Sequence, residues 1–236
     1  MRRTCPMITD PNRVREALRT MPVPTFPTAT AATGMAWLRA HVPRFSEGPE
    51  HARRRALVIA ELDRLSPTDL RHRVRAVADH PLPHIEVLLK ALGLHHVPPA
   101  TVAVIAAHYQ PHEPDSPAAD TAVDTLVARC GGTADDVTAA RICVLVQACA
   151  ATDTLVTHAR ALLARRAPRP WTPDELLVRT MIEHPPLRST RRVIDGEQVE
   201  IELRQPEFSW GAGPHACPGR THAIALAAGI LEGAPA

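Results

Sequence analysis

The stretch "WGAGPHACPGR", residues Trp210 to Arg220, sets a lone cysteine, Cys217, behind Gly211, Gly213 and His215 and directly before the apolar segment "THAIALAAGIL". Gly211 and Gly213 permit backbone shapes and close approaches that a side chain forbids. Pro218 is a favoured first residue of a helix, so the spacing predicts that Cys217 sits at a helix N-terminus. Free N–H groups and the helix dipole stabilise a thiolate there. A flat ligand could lie against the glycines with the sulfur aimed at its centre. The plainer account of the same residues is a buried free cysteine beside a Gly-Pro turn.

Composition narrows the surroundings of this loop. The chain has 236 residues, enough for one sizeable core, and 45% of them are apolar. Aromatic residues make up only 3%, so Ala, Val, Leu and Ile must build the interior. A formal charge of +2 is too near neutral to argue for a nucleic-acid partner. The start, "MRRTCPMITDPN", lacks a signal-peptide core, and no apolar run reads as membrane-spanning, which predicts a cytoplasmic protein without membrane attachment. Cys5, Cys130, Cys143, Cys149 and Cys217 are odd in number and scattered, which argues against a disulfide framework or a structural zinc site.

The elements that must position the loop read mostly as helices. Asp10-Pro11, Ser66-Pro67 and Thr172-Pro173 are cap-plus-proline starts. "GPEHARRRALVIAELDRL", "PHIEVLLKALGL" and "PATVAVIAAHY" are further helices, while "PVPTFPTATAATG" and "QPHEPDSP" read as loops. The longest candidate starts at a Thr133 cap and is nearly all apolar from Ile142 to Ala151, which suits the middle of a protein. In "RRVIDGEQVEIEL" the period changes to two around Asp195-Gly196, which predicts a small β-hairpin. A last helix is expected from about Pro218 to Leu231. The fold class is mainly α, with residues 1–236 as one domain.

The cysteine stretch resembles the heme-binding loop of the cytochrome P-450 superfamily, F-G-x-G-x-H-x-C-x-G. Gly211, Gly213, His215, Cys217 and Gly219 match it, and Trp210 stands where the family usually has Phe. The resemblance implies a compact P-450-like helical fold with heme b (iron protoporphyrin IX) between the long central helix and the cysteine loop. Cys217 would be the thiolate ligand of iron and His215 a propionate partner, with Trp210 lining the heme. Ala150-Ala151-Thr152-Asp153-Thr154 is similar to the family's A-G-x-[DE]-T motif, which makes Asp153 and Thr154 the acid–alcohol pair that relays protons to bound oxygen. A helix-interior threonine bonding its own backbone is the plain account of Thr154. "GPEHARRRAL" resembles the family's H-x-x-x-R helix, giving His51 and Arg55, one turn apart, as propionate partners; an Arg-rich solvated helix start is the plain account. In "PPLRSTRRV" the resemblance selects Arg192, with Arg191 as the alternate, for the same task, which suits arginine's forked donors.

Departures from the family pattern are equally specific. Where it has E-x-x-R, this chain has Arg179 and Ile182, and a Glu175–Arg179 pair would be in a different register. Arg192 and Cys217 are only 25 positions apart, too few for the family's further strands and meander. The start and the segment before the long helix are short as well, so the chain reads as a truncated bacterial member. The implied function is monooxygenation of a small molecule in bacterial specialised metabolism, with electrons from a ferredoxin-type partner. Two alternatives stay open: a non-oxygenating heme enzyme (peroxide-using, dehydratase or isomerase), and a non-catalytic helper of a partner enzyme. The missing pieces suggest a homodimer or a partner chain covering the apolar surface they leave.

Overall fold

The structure, a computed structural model, describes residues 6–25, 32–110, 112–114, 116–165 and 171–233; Cys5 and part of the Thr-rich loop lie outside them. In chain order the elements are β1 (Met7–Ile8), α1 (Pro11–Thr20), α2 (Gly34–His41), α3 (Gly48–Asp63), α4 (Pro67–Arg75), α5 (Pro83–Ala91), α6 (Pro99–Ala107), α7 (Pro117–Arg129), α8 (Asp136–Arg165), α9 (Pro173–Glu183), β2 (Ser189–Ile194), β3 (Glu197–Glu202) and α10 (Arg220–Gly233).

The helix starts share one grammar. Asp10, Ser66, Ser116 and Thr172 each accept a hydrogen bond from the backbone N–H three residues on, and each is followed by proline. The third of these, Ser116-Pro117, closes the loop "QPHEPDSP" in the sequence reading and in fact opens α7. Helix α2 is likewise unannounced, because its N-cap Thr33 makes no side-chain cap bond. The long helix begins at Asp136, and its cap is Asp135, whose Oδ1 accepts from Thr138 N at 2.8 Å, so Thr133 is not the cap. The last helix starts at Arg220, two residues after Pro218, because Pro218 and Gly219 form a turn.

Helix α8 is the central member, 30 residues long and in contact with α3, α5, α6, α9 and α10. Ile142, Cys143, Val144, Leu145 and Val146 are all buried in succession, which requires neighbours on every side. Length and composition would let this helix cross a membrane, contrary to the expectation that no run qualifies; 61% of its apolar window is covered by the rest of the protein.

The hairpin forms as read. Asp195 (φ 52°) and Gly196 (φ 80°) take the left-handed conformation of a two-residue turn, and β2 pairs antiparallel with β3. Strand β1 adds in parallel on the other edge of β3, making a three-stranded sheet instead of a bare hairpin. Val199, Ile201 and Leu203 pack with Val14, Ala17, Leu18 and Phe208 into a second, smaller cluster. That cluster fastens α1 to the segment entering the cysteine loop.

Helix α10 carries the far side of that loop and packs closely on α4. A Cβ at Gly229 would overlap the Arg71 carbonyl, and one at Gly233 the Arg75 carbonyl. Arg71 reinforces the contact by pairing with both Glu232 and Asp174. Alanine favours helices over glycine by about 1 kcal/mol, but backbone overlap of this kind costs about 1–3 kcal/mol. Gly229→Ala should therefore lower the thermal unfolding midpoint, whereas an increase would show that α4 and α10 are loosely apposed.

Candidate heme site

The loop around Cys217 is held from within. Cys217 N–H donates to the Trp210 carbonyl at 2.8 Å, and Gly211 N–H to the Phe208 carbonyl at 2.8 Å. Gly211 (φ 71°) and Gly213 (φ 67°) both lie in the left-handed region. At Gly213 an added Cβ would stand 2.8 Å from the Arg19 Cα and 2.9 Å from the Leu18 carbonyl oxygen, so α1 can seat on the loop only because this position is bare. His222 Nε2 bonds the carbonyls of Leu62 and Leu65 at 3.1 and 3.0 Å, tying the start of α10 to the end of α3.

Cys217 is exposed as a residue, yet its sulfur is recessed enough for burial to push the thiol up. A hydrogen bond from Gly219 and the charges of Arg55 and Arg220 pull the other way and do not win. The Gly219 bond is the stabilisation expected at such a terminus, and a coordinated metal cation would add to it. Trp210 packs at the same loop. Its ring lies under the Arg220 guanidinium, 5.7 Å from the centroid, a cation–π contact that holds a positive charge near the loop.

Beside the cysteine the fold gathers cations. His51 and Arg55 come from α3, Arg192 from β2 and His215 from the loop, and the His51 and His215 rings meet at a 40° tilt with centroids 4.0 Å apart. Arg192 is 2% exposed, whereas Arg191 faces outward and bonds His112 at 2.8 Å. The preceding segment adds Arg44, absent from the sequence reading because it stands in no motif. Burial and mutual repulsion disfavour every charge in this group. His215 is pushed down to about 3 and Arg192 to about 10, each chiefly by burial and then by like-charged neighbours; Arg44, His51 and Arg55 are also lowered, mainly by burial. The Nε of Arg44, the Nε of Arg192 and the Nε2 of His51 and of His215 are buried without a hydrogen-bond partner. Among the described residues Glu47 is the carboxylate that joins this group: its Oε1 accepts from Val23 N–H and lies 3.3 Å from His215 Nε2. Orphaned buried donors of one sign demand an anion. The residues therefore fit heme: two carboxylates would answer the cations, and Cys217 would meet the iron. Among the described residues no cluster of three or more His, Cys, Asp or Glu side chains could hold a metal by itself.

Asp153 and Thr154 lie on α8, Asp153 exposed and Thr154 half-buried. Asp153 acts electrostatically on His84 and Cys149. Thr20, Thr121, Thr125 and Thr180 all donate to the carbonyl four residues back. Among the described residues Thr154 makes no such bond, so its hydroxyl remains uncommitted. One turn earlier, His84, 1% exposed at the start of α5, bonds the Cys149 carbonyl through Nε2 at 3.0 Å. That acceptor fixes Nε2 as the protonated nitrogen. On α9, Arg179 pairs with Glu183 and Glu175 closes a capping box with Thr172, so neither supplies the family's E-x-x-R geometry.

Burial lowers the pKa of His84, while the unfolded chain titrates normally near about 6.5. Its neutral form is the one that folds, so its contribution is complete above that pH and is lost as pH falls below it, by at most about 1.4 kcal/mol per pH unit. Melting temperature against pH for wild type and His84→Gln should converge toward acid and hold a constant gap above neutrality. Parallel curves would mean that His84 titrates as freely folded as unfolded.

No family model matches the sequence, and no curated protein is recognisably similar to it. Solved structures are. P-450BioI, in complex with acyl carrier protein ligated to hexadec-9Z-enoic acid, superposes with a TM-score of 0.69 at 16% identity, covering 96% of this chain and 83% of its own. The ligand-free P-450 monooxygenase TamI gives 0.65 at 20% identity, covering 95% and 75%. A protein from Bacillus megaterium in complex with testosterone gives 0.65 at 15%, covering 96% and 82%. With ten α-helices among the described residues, α8 central among them, a small sheet and the cysteine loop before α10, this chain has the cytochrome P-450 fold.

Proposed function

We propose that the protein is a heme-thiolate oxidoreductase that oxygenates a small organic molecule in the cytoplasm of a bacterium, within specialised metabolism, using electrons from a ferredoxin-type partner. The observation that carries this reading is the set of buried nitrogens without a hydrogen-bond partner, Arg44 Nε, Arg192 Nε, His51 Nε2 and His215 Nε2, in the group beside Cys217. His51, Arg55, Arg192 and His215 would hold the propionates of heme b, and Cys217 would ligate its iron. Gly211, Gly213 and Gly219 would let the backbone approach the ring, and Trp210 would pack beside it. The bound heme would supply dioxygen activation and electron transfer.

The chain's own residues would then manage protons and access. Thr154, with a hydroxyl free of the helix backbone, would hold a proton at Oγ1 facing the reacting side. Asp153, exposed at the same turn, would recharge it from solvent. The fold likeness supports the heme-binding part of this reading and leaves the reaction to be tested. One observation favours a second reading, a heme enzyme that does not activate oxygen: Asp153 makes no hydrogen bond to Thr154 among the described residues.

Purified protein supplied with hemin, reduced and exposed to carbon monoxide, should show the red-shifted Soret band of thiolate ligation. Cys217→Ala should lose it, while Cys143→Ala, altering a buried thiol pushed up to about 12, should keep it. A histidine-type band, or no heme uptake, would end the proposal. Thr154→Ala should retain the band and, with a surrogate ferredoxin system, consume NADPH with several-fold less product per electron. Turnover without reductant would favour the non-oxygenating reading.

A further inference from the structure

Arg44 belongs to none of the motifs that assign the other cations, yet it stands among them. It lies between α2 and α3, in the one-turn helix Pro43–Phe45. Its side chain is partly accessible, but its Nε is fully buried and accepts no partner from the protein. Its guanidinium crosses the Phe45 ring at 5.8 Å, and its charge is felt by Arg192 and by His215. Tyr109 and Cys143 line its other side, both neutral at ordinary pH because burial pushes each well up.

The charges do not balance. Three arginines, Arg44, Arg55 and Arg192, share this place, and Glu47 is the carboxylate among the described residues that stands with them. Two positive charges are therefore uncompensated, and removing Arg44 would leave one. Desolvated guanidinium groups facing each other oppose folding unless something bound repays them.

Building on the heme-binding reading, we propose that Arg44 is a third arginine of the propionate cradle, donating to a carboxylate of the bound group and setting the cradle's charge to match a dianion. Arginine suits the task because it stays charged where it is buried and presents a forked set of donors.

The position has a signature that a structural role lacks. Arg44→Met keeps the length and apolar contacts of the side chain and removes a buried like charge. Heme-free Arg44→Met should melt at the same temperature as heme-free wild type or higher, while binding hemin about tenfold or more weakly, as loss of a charge-assisted bond implies. Wild type should prefer hemin over its dimethyl ester, in which both carboxylates are capped, and Arg44→Met should narrow that preference. Arg44→Lys should fall between. Arg44→Met that binds hemin as wild type does, or that discriminates diacid from diester as well, overturns the role of Arg44 alone. Wild type that takes up no hemin overturns this role and the heme reading together.

Discussion

A guanidinium or imidazolium taken out of water must be answered by an anion or a hydrogen bond, or the folded state loses stability. This protein leaves several such groups unanswered in one place, where α3, β2 and the cysteine loop meet. Elsewhere its charges are paired in the ordinary way, as in Arg71 with Glu232 and Asp174, or Arg141 with Glu61. The contrast gives the site its meaning. The protein tolerates local repulsion because the surrounding helices over-determine the position of each cation.

That determination comes from three fastenings. The stacking of α10 on α4 through Gly229 and Gly233 fixes the helix that leaves the cysteine loop. The bonds of His222 to Leu62 and Leu65 align this helix with α3, which carries His51 and Arg55. The small cluster of α1 and the sheet holds Arg192 on one side and the Trp210–Cys217 turn on the other. Helix α8 runs through the middle of the assembly, and its apolar girth supplies the bulk against which these parts are pressed.

Much of this was legible in the residues. Cap-plus-proline pairs marked helix starts, the Asp195-Gly196 turn marked the hairpin, and the spacing of Gly211, Gly213, His215 and Cys217 marked the loop. The same signals failed where two meanings overlapped: Ser116-Pro117 closes a proline-rich loop as well as opening α7. Strand β1 is two residues long and is formed only by its pairing with β3, so no local pattern could declare it. Arg44 escaped notice for a related reason. Nothing in "VPRFSE" separates a buried arginine from a surface one, and only the packing of Phe45, Tyr109 and Arg192 around it does so.

The seating of α1 on Gly213 has a consequence in time. Arg15 reaches Glu207, Gln205 reaches the Thr9 carbonyl and β1 pairs with β3, all across nearly two hundred positions of sequence. During synthesis the first helix must wait, with Val14, Ala17 and Leu18 uncovered, until the loop that receives it has been made. Closure of such distant ends is slow and exposes apolar surface meanwhile. The seat of α1 on the cysteine loop is thus assembled late, and a prosthetic group arriving then would act as a clasp that shortens the exposure of α1 to misfolding.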